Sequence, residues 1–227
     1  MNVRELLPGQ VLAAHHRPAN RAPGGWYEIR NQAGEDRARV DLYDVIGWDV
    51  TPGEFVRDLA AITAPVIELH VNSPGGVIFD GLTIYNALRD HPARVEAIVD
   101  GLAASAASWI VQAGETVTMN RFSQMFIHDG RGLTIGNEAD HLEQAALLGR
   151  LSNTIAAIYA ARAGGTVDGW RDAMIAETWY SAAEAVDAGL ADYLITDDEE
   201  RDGGESSDHA RLVTARARAH HLEKRSA

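Results

Sequence analysis

The 227-residue sequence contains no cysteine and only one lysine, Lys224, close to its end. The first absence removes disulfides, thiolate nucleophiles and cysteine-based zinc sites, so any catalysis must run through oxygen or nitrogen. The second leaves no lysine general base outside the C-terminal stretch. Long apolar runs are missing as well. The longest weakly polar segment, Gly101 to Ala113, is broken by Ser105, Ser108 and Gln112 and is too short to cross a bilayer. Met1 to Gln10 lacks the apolar centre of a secretory signal, so a cytoplasmic protein without a membrane partner is expected. Positive charge is scarce too: the formal net charge is −13, which leaves no basic surface for neutralising phosphates, and no nucleic-acid partner is expected.

What is present is an apolar content of 46% spread over short segments, enough to build one α/β domain with a buried core. The expected organisation is a weakly ordered N-terminal segment over 1–25, a single domain over 26–195, and a charged tail over 196–227. Thr196 to Asp208 is acidic, glycine- and serine-rich and aperiodic, which reads as disorder; Ala210 to Arg225 is either a solvated basic helix or unstructured.

Within the domain, Trp26 to Ile29 and Val40 to Ile46 read as a strand hairpin with a turn over Asn31 to Glu35. Thr51-Pro52-Gly53-Glu54 opens a helix with an N-cap, a proline at the first helical position and a glutamate three residues after the cap. Strand Val66 to Val71, the turn Asn72-Ser73-Pro74-Gly75-Gly76 and a helix from Asp80 to Arg89 follow, and the pattern recurs with strand Arg94 to Val99, a turn over Gly101 to Ala104 and a helix from Ser105 to Gln112. Two short strands, Thr116 to Met119 and Gln124 to Ile127, precede a long helix from Asn137 to Arg162 and another from Val167 to Ala176. Ser181-Ala182-Ala183-Glu184 has the capping-box pattern before a helix ending at Gly189, and Ala191 to Ile195 reads as a last strand. Strands alternating with helices predict a mostly parallel sheet covered by helices, with right-handed crossovers.

Three features invite chemistry. Ser105 follows a strand and a small-residue turn at a helix start, where backbone N–H groups and the positive helix end converge; taken alone, the same placement suits an ordinary N-cap serine. His128 emerges from the end of an apolar strand, where active-site groups of α/β folds collect, although a lone histidine there also serves packing. The adjacent Gly75 and Gly76 let the backbone approach a ligand and turn N–H groups outward, or simply form a strand-to-helix turn. No Gly-Lys-Ser/Thr follows, so this is not a phosphate loop. The other histidines offer little: His70 lies within a strand, His91 and His141 look solvated, and His15-His16 and His220-His221 lack metal-type spacing.

Asn72-Ser73-Pro74-Gly75-Gly76, Gly101 to Ser108, Met125-Phe126-Ile127-His128 and Ser181 to Asp192 occur in the order and approximate spacing of the Clp protease proteolytic subunit family, which the sequence resembles from about Asp41 to Asp192. In detail it looks most similar to the Clp-like proteases of tailed phages and prophages that process capsid components. The resemblance implies an α/β superhelix of repeated β-β-α units, related to crotonases. It places the nucleophile on Ser105, the general base on His128, and the oxyanion donors on the N–H groups of Gly76 and Ala106, with substrate extended along the Gly75-Gly76 edge. The acidic third member falls four residues before Ser181, on Glu177 rather than aspartate, with Asp172 as the fallback.

It further implies ATP-independent hydrolysis of protein or peptide substrates, no cofactor and no metal, homo-oligomeric rings that stack through the long helix after His128, and capsid proteins or an ATP-driven unfoldase as partners. Three rival readings stand beside this one. A Ser-Lys peptidase of the same superfamily needs a lysine base, and Lys224 lies in the tail. A crotonase-like acyl-CoA enzyme would leave Ser105 and His128 idle, and so would a catalytically silent, ring-forming assembly protein.

Overall fold

The computed structural model describes residues 25–30, 36–47 and 50–195. Residues 1–24, 31–35 (where the sequence predicts a turn), 48–49 and 196–227, with His15, His16, His220, His221 and Lys224, lie outside the described residues. Among the described residues the chain forms one eight-stranded sheet and six α-helices, an α/β fold of the class the sequence predicts.

Strands β1 (Tyr27–Arg30) and β2 (Arg37–Tyr43) pair antiparallel, as the hairpin pattern requires. Helix α1 (Pro52–Ala60) starts at Pro52, where the missing N–H costs nothing. The expected side-chain cap does not form; Glu54 N–H instead donates to the Thr51 main-chain carbonyl at 3.1 Å. Then come β3 (Val66–Ser73), α2 (Ile78–Asp90), β4 (Arg94–Ala104) and α3 (Ala106–Ile110), followed by a 3-10 turn over Val111–Ala113. β5 (Thr116–Asn120) and β6 (Gln124–Phe126) precede the long α4 (Glu138–Ala163) and α5 (Val167–Ile175). β7 (Trp179–Ser181), α6 (Ala182–Asp187) and β8 (Tyr193–Ile195) complete the described chain. The Ser181 capping box is present: Ser181 Oγ accepts from Glu184 N–H, and the Glu184 carboxylate accepts from Ser181 N–H.

The main path of the sheet runs β1-β2-β3-β4-β5-β8, parallel from β2 onward. β4 is longer than its sequence signal. Its first half, Glu96 to Val99, pairs with β5, and its second half, Leu102 to Ala104, pairs with β6, so the segment expected as a turn is extended strand. β7 has no clear signal in the sequence; it forms because β6 offers an open edge, with Phe126 opposite Trp179.

The helices cover one face of the sheet rather than both. Alternate residues of β3 and β4, among them Ile67, Leu69, Val71, Val95, Ala97 and Val99, are buried against Phe55 and Leu59 of α1, Ile84 and Leu88 of α2, and α3. The opposite alternation is polar: Arg37 bridges Glu68 at 2.8 Å and Glu96 at 2.7 Å, and His70 Nδ1 meets the Asp100 carboxylate at 3.0 Å. His91 is not solvated as expected. Its ring accepts from Ala93 N–H at 3.1 Å and donates to the Leu59 carbonyl at 3.1 Å, closing the end of α2. No helix among the described residues is long and apolar enough to cross a membrane.

Helix α4 docks by the face that carries Ser152, Ile155, Ala156 and Tyr159, all buried. Ile155→Ala removes a fully buried side chain at that contact and is expected to lower unfolding free energy by about 2–5 kcal/mol, read as a lower denaturant midpoint.

Candidate active site

The site forms where β4 and β6 end side by side. Ala104 is in register with Phe126, and Ser105 N–H continues the ladder by donating to the Phe126 carbonyl at 2.9 Å. One step beyond β4 the chain turns sharply: Ser105 has φ 51° and ψ −123°, a conformation that L residues rarely adopt and that costs on the order of 1–3 kcal/mol. This bend rules out a conventional N-cap, which needs an extended backbone. The Ser105 hydroxyl makes no capping bond, and among the described residues it has no hydrogen-bond partner. It is left half-exposed at the start of α3.

The bend is held from below. Ala104, Ala106, Ala107 and Ser108 are all fully buried, and Ser108 Oγ donates to the Ser105 carbonyl at 2.5 Å while sharing a 2.6 Å contact with Tyr159 OH of α4. Since the Ser108 proton is engaged with the carbonyl, Tyr159 is the donor in that contact. Ser108, without a role in the sequence reading, is thus the prop beneath Ser105.

Gly75 and Gly76 sit on the other side of Ser105. Gly75 has φ 94°, and a Cβ there would lie 2.6 Å from Ala104 O, Ala106 N and the Ser105 Cβ, so only glycine permits this approach. Buried Ser73 shapes the turn, accepting from Gly75 N–H at 3.1 Å and donating to Asp44 O at 2.6 Å. The Gly75 carbonyl is taken by Ile46 N–H at 2.9 Å, and the Ile46 carbonyl by Val77 N–H at 3.2 Å. Among the described residues neither Gly76 N–H nor Ala106 N–H has an acceptor.

His128 lies two residues past β6, half-buried, its ring stacked on Phe126 with centroids 5.3 Å apart; Phe126 in turn stacks on Trp179 of β7 at 4.4 Å. His128 Nδ1 donates to the main-chain carbonyl of Asp129 at 2.6 Å. Burial pushes the imidazole below the ordinary histidine range; the Asp129 hydrogen bond and the charges of Glu177 and Asp129 oppose this, while Arg131 reinforces it. No hydrogen bond joins His128 to Ser105 among the described residues, although both leave the same end of neighbouring strands.

Glu177 stands near enough for its charge to act on His128, yet its carboxylate is bound by Arg131 Nη2 rather than by the imidazole. Its backbone is also left-handed, with φ 53°. Asp172 is exposed on α5 and makes no side-chain bond among the described residues. Asp129, not singled out in the sequence, is held by Arg171 Nη2 at 2.7 Å; the Asp-Gly dipeptide after the strand marks a turn but gives no hint of that partner. No cluster of three or more metal-type side chains occurs among the described residues.

A family model described as Clp protease matches residues 24–198. The chain is 32% identical over 128 residues to the ATP-dependent Clp protease proteolytic subunit of Pleurastrum terricola, across 56% of this chain and 65% of that relative. It is 30% identical over 132 residues to the ATP-dependent Clp protease proteolytic subunit 1 of Leifsonia xyli subsp. xyli, across 56% of this chain and 66% of the relative. To the corresponding subunit of Chlorella vulgaris it is 29% identical over 131 residues, across 57% and 65%. The matched segment spans just under two thirds of the length of these relatives.

Gly75→Ala forces a Cβ against two backbone atoms at positive φ, and is expected to lower unfolding free energy by about 1–3 kcal/mol in urea titration while displacing Ser105.

Proposed function

The chain belongs to the Clp protease family, and from that membership we propose that it is a serine-type endopeptidase with Ser105 as nucleophile and His128 as general base. The observation that carries the reading is the Ser105 hydroxyl, left without a capping bond on a strained strand-to-helix bend beside two free backbone N–H groups.

In this mechanism Ser105 Oγ attacks the substrate carbonyl carbon and passes its proton to His128 Nε2. The developing oxyanion is received by Gly76 and Ala106 N–H groups, which already lack acceptors and so need no reorganisation. His128 returns the proton to the leaving amine, and water then cleaves the acyl-enzyme with His128 again as base. Extended substrate lies along the Gly75-Gly76 edge. Glu177 is the carboxylate of the site: burial dominates the proton affinity of His128, and Glu177 acts against that burial through its charge. The peptide hydrolysis itself draws on no ATP, cofactor or metal.

The biological setting is proposed on the same footing. Rings of identical subunits stack through α4, whose preceding segment exposes Leu133 and Ile135, and act in the cytoplasm on protein substrates such as phage capsid or scaffold proteins, with or without an ATP-driven unfoldase. A crotonase-like acyl-CoA enzyme or a silent assembly protein would have no use for an unengaged serine hydroxyl at such a bend.

Ser105→Ala is expected to abolish both fluorogenic peptide cleavage and labelling by a fluorophosphonate, with the label of the unaltered protein mapped to Ser105 by mass spectrometry; crotonyl-CoA turnover without labelling would instead favour the acyl-CoA reading. Because burial lowers the proton affinity of His128, the neutral base persists into mildly acidic solution. The acidic limb of kcat/KM is therefore expected below the ordinary histidine value, and a limb above it would contradict the burial argument.

A further inference from the structure

We infer that Arg171 and Asp129 form a positioning pair for His128, in which the guanidinium fixes Asp129 and thereby the main-chain carbonyl that receives the Nδ1 proton. The inference rests on the reading of His128 as general base and goes beyond it, because the group that aims the imidazole is then neither Glu177 nor Asp172.

A carbonyl oxygen only accepts, so the 2.6 Å contact from His128 Nδ1 to Asp129 O fixes the neutral tautomer with its proton on Nδ1 and its lone pair on Nε2. That lone pair is what a base acting on Ser105 needs. The carbonyl, however, belongs to a stretch between β6 and α4 with no strand ladder or helix to hold its peptide plane. Two anchors hold it: the Gly130 N–H, which shares that peptide plane, donates to Ser152 Oγ of α4 at 2.9 Å, and the Asp129 side chain is held in its turn. Arg171 Nη2 grips Asp129 Oδ2 at 2.7 Å, and Arg171 Nη1 is tied to α4 by the Gly149 carbonyl at 3.0 Å and Asn153 Oδ1 at 2.7 Å. With the arginine side chain only 18% exposed, α4 and α5 together form a rigid mount.

Two further atoms fit this role. Asp129 Oδ1 and Arg171 Nε are both buried without a hydrogen-bond partner, and they are the acceptor and donor that would complete a two-pronged arginine–carboxylate fork. The nearby Glu177 carboxylate is engaged by Arg131 and makes no bond to the ring. The charged groups acting on His128 are thus Asp129, Arg131 and Glu177, with Arg171 acting through Asp129.

The test uses the full chain. In ¹⁵N NMR of the unaltered protein with neutral His128, Nδ1 should be protonated and Nε2 bare. Arg171→Ala should give mixed tautomers and lower kcat on a fluorogenic peptide by about tenfold or more with little change in KM, since a misaimed imidazole forfeits part of the roughly 10²–10⁴ that a positioned base contributes. Arg171→Lys, which keeps a cation beside Oδ2, should recover part of that loss. Opposite shifts of the acidic limb are expected: upward in Arg171→Ala, where Asp129 loses its counter-charge, and downward in Glu177→Gln, where an anion is removed and the tautomer is kept.

A bare Nδ1 in the unaltered protein overturns the inference. So does an Arg171→Ala protein with unchanged tautomer and kcat, or a tautomer that changes in Glu177→Gln but not in Arg171→Ala. If Arg171→Ala does not fold, Arg171→Lys and Asp129→Asn carry the same comparison. Lack of fluorophosphonate labelling at Ser105 sinks the peptidase reading separately, because the tautomer is read without turnover.

Discussion

Strand β4 changes partners halfway along its eleven residues, and the rest of the site depends on that fork. Had β4 stayed paired with β5 throughout, β6 would have had no place beside Ala104, and His128 would not emerge next to Ser105. The backbone bond from Ser105 N–H to Phe126 O closes the second limb of the fork and fixes the two chain ends relative to each other before any side chain is considered. A serine and a histidine far apart in sequence are therefore brought to one sheet edge by ladder hydrogen bonds, which tolerate little displacement. The same limb gives β7 an edge to pair with, and through Trp179 and Phe126 it supplies the aromatic surface on which the His128 ring stacks.

The strain at Ser105 is sustained by how little side-chain volume surrounds it. Alanines at 104, 106 and 107 and the glycine at 75 let three backbone segments close on one another, while Ser108 and Tyr159 satisfy the carbonyl that the bend leaves inside. Tyr159 belongs to α4, so the long helix supports the bend as well as covering the core. Small residues and a buried hydroxyl pair thus do what a cap would do elsewhere, and the Ser105 side chain stays free.

Much of this was legible from residue pattern. The alternation in Val66 to Val71, the 3.6-residue spacing of Asp80 to Arg89 and the capping box at Ser181 each reflect local physics that tertiary contacts reinforce. The extended course of Gly101 to Ala104 was not legible, because small residues read as a turn until β6 pairs with them. β7 was missed for the same reason, a three-residue strand having no periodicity of its own. His91 looks solvated in a charged stretch, yet its ring meets a carbonyl contributed by α1. Of the site, Ser105, His128 and the two glycines stand out at element ends, whereas the partners of Asp129 and Glu177 are set by α5 and by the segment after His128, contacts that no local pattern encodes.

The charges around His128 explain why burial decides its proton affinity. Glu177 is matched by Arg131 and Asp129 by Arg171, so each carboxylate that would stabilise an imidazolium arrives with a cation beside it. Arg131 acts on the ring directly and offsets Glu177, leaving desolvation as the largest influence. In the proposed mechanism, a ring kept neutral by burial and aimed by a neutral carbonyl accepts the proton, and it needs no buried, unpaired carboxylate to do so. The cost of holding such a charge away from water is thereby avoided, and each acid keeps its salt bridge while the ring keeps its bond to the Asp129 carbonyl.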